Sequence, residues 1–84
     1  KETARYSFSD EDGAPRYACA YGNYIYVTTY GNKVIRFTPD LTRVAEHAVG
    51  KNPEQIVVYY GRLCVACCGW GDDNRVFIID PERF

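Results

Sequence analysis

Apolar residues occur along the chain in short runs that turn residues separate. The runs "RYACA", "YIYVTTY" and "KVIRFT" are rich in Tyr, Val, Ile and Thr, which is typical of β-strands. Gly22-Asn23 and Tyr60-Gly61 predict two-residue hairpin turns, since each pair contains a glycine that tolerates positive φ. No window shows the period of an amphipathic helix. The pattern therefore predicts an all-β chain of antiparallel hairpins.

The chain contains an internal repeat. "PRYACAYGNYIYVTTYG" (15–31) aligns without a gap with "PEQIVVYYGRLCVACCG" (53–69) at an offset of 38 residues. After the inserted "WGDD" the match resumes at an offset of 42, with "NKVIRFTPDL" over "NRVFIIDPER". "TRVAEHAV" is predicted to be the outer, fourth strand of the first copy, whereas the second copy lacks an equivalent. Ala4 to Phe8 is predicted to be a spare strand of the same type, which would complete a blade in a neighbouring chain or in the remainder of a longer protein. A repeat of about 40 residues with four short strands is typical of β-propeller blades.

A family resemblance follows from these residues. "YVTTYGNKVIRFTPDL" resembles the Tyr-Val-Thr-Asn (YVTN) repeat of surface-layer-type bacterial β-propellers, and "VGKNPEQIVV" and "NRVFIIDPERF" are similar to its neighbouring segments. The first copy departs from the pattern, because Ala14-Pro15 stands where the family has Asn-Pro. The resemblance covers nearly the whole chain and implies two four-stranded antiparallel β-propeller blades. They would form a single segment over 1–84, with repeats at about 5–41 and 42–84.

Three cysteines within five residues, in "LCVACC", raise the question of a metal or redox site. On a strand, Cys64 and Cys68 lie on one face and Cys67 on the other, so Cys64 and Cys67 point away from each other and cannot bind one ion. We expect Cys64 and its neighbours to be buried apolar thiols without a metal. A disulfide between Cys19 and Cys67 is the alternative that the alignment leaves open.

The inserted segment is the candidate contact site. "WGDD" is predicted to project as an exposed loop between the second and third strands of the second copy, since extra residues inside a ladder would break its register. Trp70 is suited to a partner contact, and Asp72 and Asp73 lie beside it. The loop lacks the alternating oxygen ligands and the distal Glu of a calcium site.

The remaining candidate residues have structural explanations. His47 is expected to be a surface side chain of a fourth strand, and "SDEDG" (9–13) a solvated turn. A set of tyrosines could stack on sugars or bases, but at strand positions we expect core residues between blades. These tyrosines are Tyr21, Tyr24, Tyr26, Tyr30, Tyr59 and Tyr60.

Composition and charge exclude several classes of function. The chain has 84 residues, a net charge of −1 and no basic block, which argues against a nucleic-acid partner. No apolar run approaches the roughly 20 residues of a membrane span. No Ser-His-Asp order, phosphate-binding glycine motif or carboxylate pair at credible spacing occurs. We therefore predict no catalytic, cofactor-binding or metal-binding residue and no cofactor. Composition does not define the compartment, and the family resemblance implies a bacterial periplasm or cell surface.

Three functions are compatible with this sequence. The first is a non-catalytic β-propeller module that acts as a protein-interaction or ligand-binding scaffold. The second is a designed or fragment propeller unit whose role is self-assembly, and the third is a propeller enzyme such as a metal-dependent lactonase. Two blades cannot close a ring, because propellers have about 4–8. The predicted partner is therefore the chain itself, in a homo-oligomeric ring, or the remainder of a longer propeller.

Overall fold

The computed structural model describes residues 1–68 and 74–84, which form two antiparallel sheets. Sheet A is a four-stranded meander of β1 (Pro15–Tyr21), β2 (Tyr24–Thr29), β3 (Lys33–Phe37) and β4 (Arg43–Ala48). Sheet B contains β5 (Pro53–Tyr59), β6 (Arg62–Cys67) and β7 (Arg75–Ile79). A short 3₁₀ turn, Pro81–Arg83, follows β7. The predicted all-β class is confirmed, and no helix in the described ranges has the length and apolar character that a membrane crossing requires.

The sequence repeat is also a repeat of strand register. Cys19 pairs with Tyr26 in sheet A, and Val57 pairs with Cys64 at the equivalent place in sheet B. β1 and β5 both begin at a proline, and the strand pairing is irregular directly after it. β2 pairs with β3 in the same register as β6 pairs with β7, when the inserted "WGDD" is left out of the count. The offsets read from the sequence therefore describe equivalent positions in space.

Both predicted hairpin turns are present. Tyr21 pairs with Tyr24, and Tyr59 pairs with Arg62, so each turn has two residues. Gly22 has a φ of 60°, and the second turn places Tyr60 at 50° and Gly61 at 72°. These positive values match the right-handed twist of the strands on either side.

The core lies between the two sheets. Alternate residues of each strand point to opposite faces, and one face of sheet A packs against one face of sheet B. Tyr26 and Val34 come from sheet A, and the remaining buried members of the cluster come from sheet B: Ile56, Leu63, Val65, Cys67 and Ile79. Full burial of an aliphatic side chain contributes about 1.5–3 kcal/mol. This contact therefore holds the two sheets together.

The structure bears on two predictions about strands. Sheet A has the predicted four strands, whereas sheet B has three within the described residues, so the prediction of two four-stranded sheets is wrong for sheet B. Ala4 to Phe8 forms no strand with the rest of the described chain, and its pairing with a neighbouring copy stays a prediction. Instead the ring centroids of Tyr6 and Phe8 lie 4.7 Å and 6.0 Å from that of Phe37, so this segment packs through side chains on sheet A. A segment forms a β-ladder only when it lies beside the edge of a strand. The N-terminal segment lies on the face of sheet A, so its backbone has no strand edge to pair with.

The position of Val65 between the sheets leads to a stability prediction. Val65 is 0% exposed and Val44, on β4, is 47% exposed. We expect Val65→Ala to lower the free energy of unfolding by about 2 kcal/mol, since it removes buried methyl groups and leaves a cavity. Val44→Ala is the matched control and should change it by less than about 0.5 kcal/mol. Urea denaturation measures both, and equal losses would contradict this description of the core.

Candidate functional site

The predicted contact loop falls on residues that the structure does not describe. Trp70, Asp72 and Asp73 lie within 69–73, outside the described residues. The residues on either side, Cys68 and Asn74, are exposed. The contact-loop hypothesis therefore stays a prediction.

The cysteines are distributed as strand alternation requires, with one correction. Cys67 is buried, Cys19 and Cys64 are half-buried, and Cys68 is exposed just beyond the end of β6. The expectation that Cys64 and its neighbours are buried is therefore met by Cys67 alone, since Cys64 is half-buried and Cys68 is exposed. Cys19 is a free thiol, so the Cys19–Cys67 disulfide is not formed. Desolvation raises the pKa of Cys19 and keeps this thiol protonated. No group of three or more metal-binding side chains occurs in the part of the chain that is described.

His47 lies on β4 as predicted, but it is not a fully solvated surface residue. It is half-buried, with its ring centroid 5.6 Å from that of Phe84. Its Nδ1 lies 2.8 Å from the carbonyl oxygen of Ala48. The C-terminal residue therefore covers part of this histidine.

The tyrosines differ most from their predicted positions. Of the six expected between blades, Tyr26 is buried and Tyr24 is half-buried, whereas the other four are exposed: Tyr21, Tyr30, Tyr59 and Tyr60. Three of the exposed tyrosines lie beside or within the β1–β2 and β5–β6 turns, and Tyr59 shares with Val57 the face of β5 that points away from sheet A. Strand alternation shows which residues share a face but not which face the other sheet covers, so the sequence did not show this exposure.

These hairpin ends form one surface. Tyr21, Tyr24, Tyr59 and Tyr60 are here called the tyrosine surface. Two neighbouring cavities of about 430 and 260 Å³ open there and share Tyr21, Pro81 and Glu82. The rings of Tyr59 and Tyr60 are 4.4 Å apart, and Tyr60 is 86% exposed. Exposed tyrosines provide a large apolar area and a hydroxyl at little cost in conformational entropy, which suits a binding surface.

Arg36 supports one side of the tyrosine surface. Its guanidinium carbon lies 4.6 Å from the ring centroid of Tyr24 and 4.6 Å from that of Phe84, which places a cation against two aromatic rings. Arg36 also donates to the Tyr26 hydroxyl at 3.3 Å and to the backbone carbonyl of Pro81. This side chain therefore fixes the C-terminal turn against sheet A, and the turn forms part of both cavities.

The acidic segment at 9–13 forms a turn, but Asp12 within it is not solvated as the sequence suggested. Asp12 is buried and accepts hydrogen bonds from Arg43, whose Nη1 lies 2.8 Å from Oδ1, while Lys33 Nζ lies at 3.6 Å. The bond to Arg43 is the largest cause of the lowered pKa of Asp12. Bonds to the Tyr6 hydroxyl and then to Asp12 raise the pKa of Arg43. Asp10 and Glu11 do remain exposed.

Close backbone packing brings Asp12 to this position. Its carbonyl oxygen accepts a 2.5 Å hydrogen bond from the Thr29 hydroxyl. A Cβ on Gly31 would lie 2.2 Å from that oxygen, and a Cβ on Gly13 would lie 2.2 Å from the Gly31 nitrogen. Gly13 also has a φ of 83°. Both glycines are thus required, and the chain that leads into β1 is clamped against the β2–β3 turn.

A buried hydroxyl joins the two sheets. Thr28 Oγ1 donates to the Glu54 carbonyl oxygen at 2.8 Å and accepts from the Tyr17 backbone nitrogen at 3.1 Å, in the irregular part of β1. At the surface nearby, Arg16 contacts the Glu54 carboxylate at 3.1 Å and lies 4.8 Å from the Tyr30 ring centroid. These contacts define the position of β1 relative to β5.

Comparisons with protein-family models, with curated proteins and with solved structures give no match. A functional proposal for this chain therefore rests on its own repeat, packing and exposed surfaces.

The Asp12 contacts lead to a pH prediction. The pKa of Asp12 in the folded chain is below its ordinary value of 3.8, so its stabilising contribution is present above about pH 4 and is lost as the pH falls through the folded value. We expect Asp12→Asn to lower the free energy of unfolding at pH 7, and to make a smaller difference at pH 3. Asp10→Asn, at an exposed position of the same segment, is the control. Urea denaturation at both values checks this, and a difference that is independent of pH would contradict it.

The bridging hydroxyl leads to a second prediction. Thr28→Val keeps the shape of the side chain but leaves the Glu54 carbonyl and the Tyr17 N–H without their partner, so we expect a loss of about 1–3 kcal/mol in the free energy of unfolding. Thr42→Val, at an exposed position, should be nearly neutral. Thermal or urea denaturation of both variants tests it. A neutral Thr28→Val would show that the bridge does not stabilise the sheet contact.

Proposed function

We propose that this chain is a β-propeller segment that acts as a non-catalytic interaction scaffold. The observation that carries the proposal is the repeat: two consecutive antiparallel sheets share the same register and the same irregularity, and they pack face to face. Radial repetition of such sheets is the principle of a propeller, in which each sheet is covered by its two neighbours.

The uncovered faces support association with further sheets. Val57, Val76 and Ile78 are 50%, 65% and 62% exposed, and all three lie on the face of sheet B that points away from sheet A. A contiguous apolar patch of this kind is unusual at the surface of a monomer and is typical of an interface. The outer edge of β7 also has no partner strand among the described residues, and an open edge favours strand addition.

The contact surface of the scaffold would be the tyrosine surface. Arg36 packs on the ring of Tyr24, and the rings of Tyr59 and Tyr60 lie against each other, which lowers the entropic cost of ordering these side chains on binding. The two cavities beside it provide concave space for a side chain of a protein partner or for a small ligand. The loop that contains Trp70 is the second contact region that the sequence predicts.

The mass in solution tests this proposal. We expect size-exclusion chromatography with light scattering at micromolar concentration to give a multiple of the 9.6 kDa chain mass, because the outer faces need to be covered. A folded, monodisperse monomer would contradict the proposal. Circular dichroism of the same sample confirms that the measured species is folded.

A further inference from the structure

The outer face of each sheet is the face that points away from the other sheet. The repeat relates these two outer faces to the interface between the sheets. At the repeat offsets, the outer-face residues of sheet B are equivalent to the residues of sheet A that face the inter-sheet contact. Val57 corresponds to Cys19, Cys64 to Tyr26, Ala66 to Thr28, Val76 to Val34 and Ile78 to Arg36. Conversely, the outer face of sheet A is equivalent to the face of sheet B that is buried against sheet A. Each outer face is therefore equivalent to one side of the interface that the chain already forms.

The outer face of sheet B carries exposed apolar side chains. Val57 pairs across to Cys64 and Cys64 to Ile78, while Ala66 pairs to Val76, so these side chains form one continuous patch. More than half of the Val76 and Ile78 side chains is exposed. This patch needs an apolar cover.

The outer face of sheet A is apolar and hollow. Alanines at 18 and 20 on β1 are exposed, and they pair with the half-buried Val27 and Ile25. On the β3 side of this face Ile35 and Phe37 are buried, and Tyr6 and Phe8 pack on Phe37, so the open part lies along β1. A groove of about 330 Å³ remains, and its apolar lining includes Ala18, Ile25, Val27 and Phe37. The groove is apolar and concave, so it is suited to receive the exposed aliphatic side chains of the sheet B patch.

We propose that the outer face of sheet B in one copy packs on the outer face of sheet A in the next copy, head to tail. The partner is a second copy of this chain, because the repeat makes this contact equivalent to the one between its own sheets. The inference rests on the proposed function and adds the identity and the orientation of the surfaces. Such a contact is heterologous, so it adds copies in one direction and closes into a ring if the rotation allows.

The same arrangement gives the N-terminal segment a strand partner. Residues 5–10 are equivalent to β4 at the offset of 38, and β4 pairs with β3, whose equivalent in sheet B is β7. From Ala4 to Ser9, half-buried and exposed residues alternate with the period of a strand, although no ladder is formed. In the head-to-tail contact this segment would lie beside the outer edge of β7 in the neighbouring copy and add a fourth strand to its sheet B.

A mixing experiment with two blocked variants tests the orientation. Ala18→Glu places a charge in the groove of sheet A, and Ile78→Glu places one in the patch of sheet B, both at exposed positions. Light scattering should show that each variant alone is a monomer. An equimolar mixture should give a dimer with one chain of each, because one intact groove and one intact patch remain. Thr42→Glu, at an exposed position outside both faces, is the control and should keep the wild-type mass.

Each other outcome contradicts a defined part of the inference. Two folded variants that keep the wild-type mass, a change in only one variant, or a mixture that stays monomeric would overturn the head-to-tail interface. A monomeric wild-type chain would overturn the proposed function itself. Circular dichroism of each variant shows whether it is folded, and if Ile78→Glu is not, Val76→Glu in the same patch replaces it.

Hydrogen exchange tests the strand addition separately. In the wild-type assembly, the backbone amides that point outward from β7, within residues 76–79, should exchange at least about tenfold more slowly than in the Ala18→Glu monomer. Equal exchange in the two samples would overturn the added strand and leave the face contact to be judged by the mixing experiment.

Discussion

Both sheets carry apolar side chains on both faces, and the contact between the sheets covers one face of each. Leu63 and Val65 are fully buried in that contact, whereas Val76 and Ile78 on the opposite face of the same sheet are mostly exposed. An antiparallel sheet with one solvated face normally alternates apolar and polar residues. This chain does not follow that pattern on sheet B, where Val76 and Ile78 leave an apolar face exposed to solvent. The proposed contact with a further sheet would cover this face.

The N-terminal segment shows how sheet A meets the same constraint. Tyr6 and Phe8 pack on Phe37, and the Tyr6 hydroxyl lies 3.0 Å from Arg43 Nη1, which also binds Asp12. A buried carboxylate is costly unless charged partners compensate it, and Arg43 and Lys33 do so here. This partly buried ion pair thus fixes the chain that enters β1, and it gives the aromatic rings a defined place on the outer face of sheet A.

Features that depend on local chemistry could be predicted from the sequence. The hairpin turns, the face of each cysteine on β6 and the pairing of Cys19 with Tyr26 follow from turn residues and strand alternation. Features that depend on distant contacts could not. The burial of Asp12 requires Arg43, 31 residues away, and two glycines that allow close backbone approach. The exposure of Tyr59 depends on which face of β5 the other sheet covers, and strand periodicity does not encode that choice.

The differences between the two copies agree with the proposed contacts of each face. Arg36 and Ile78 occupy equivalent positions in the repeat. Arg36 has aromatic rings and the Pro81 carbonyl around it, so a cation is satisfied there. Ile78 is apolar and 62% exposed, as expected of a position that the proposed contact between copies would bury. The same backbone position thus holds a cation where the Pro81 carbonyl accepts its hydrogen bond, and an aliphatic side chain where the proposed neighbouring sheet would pack.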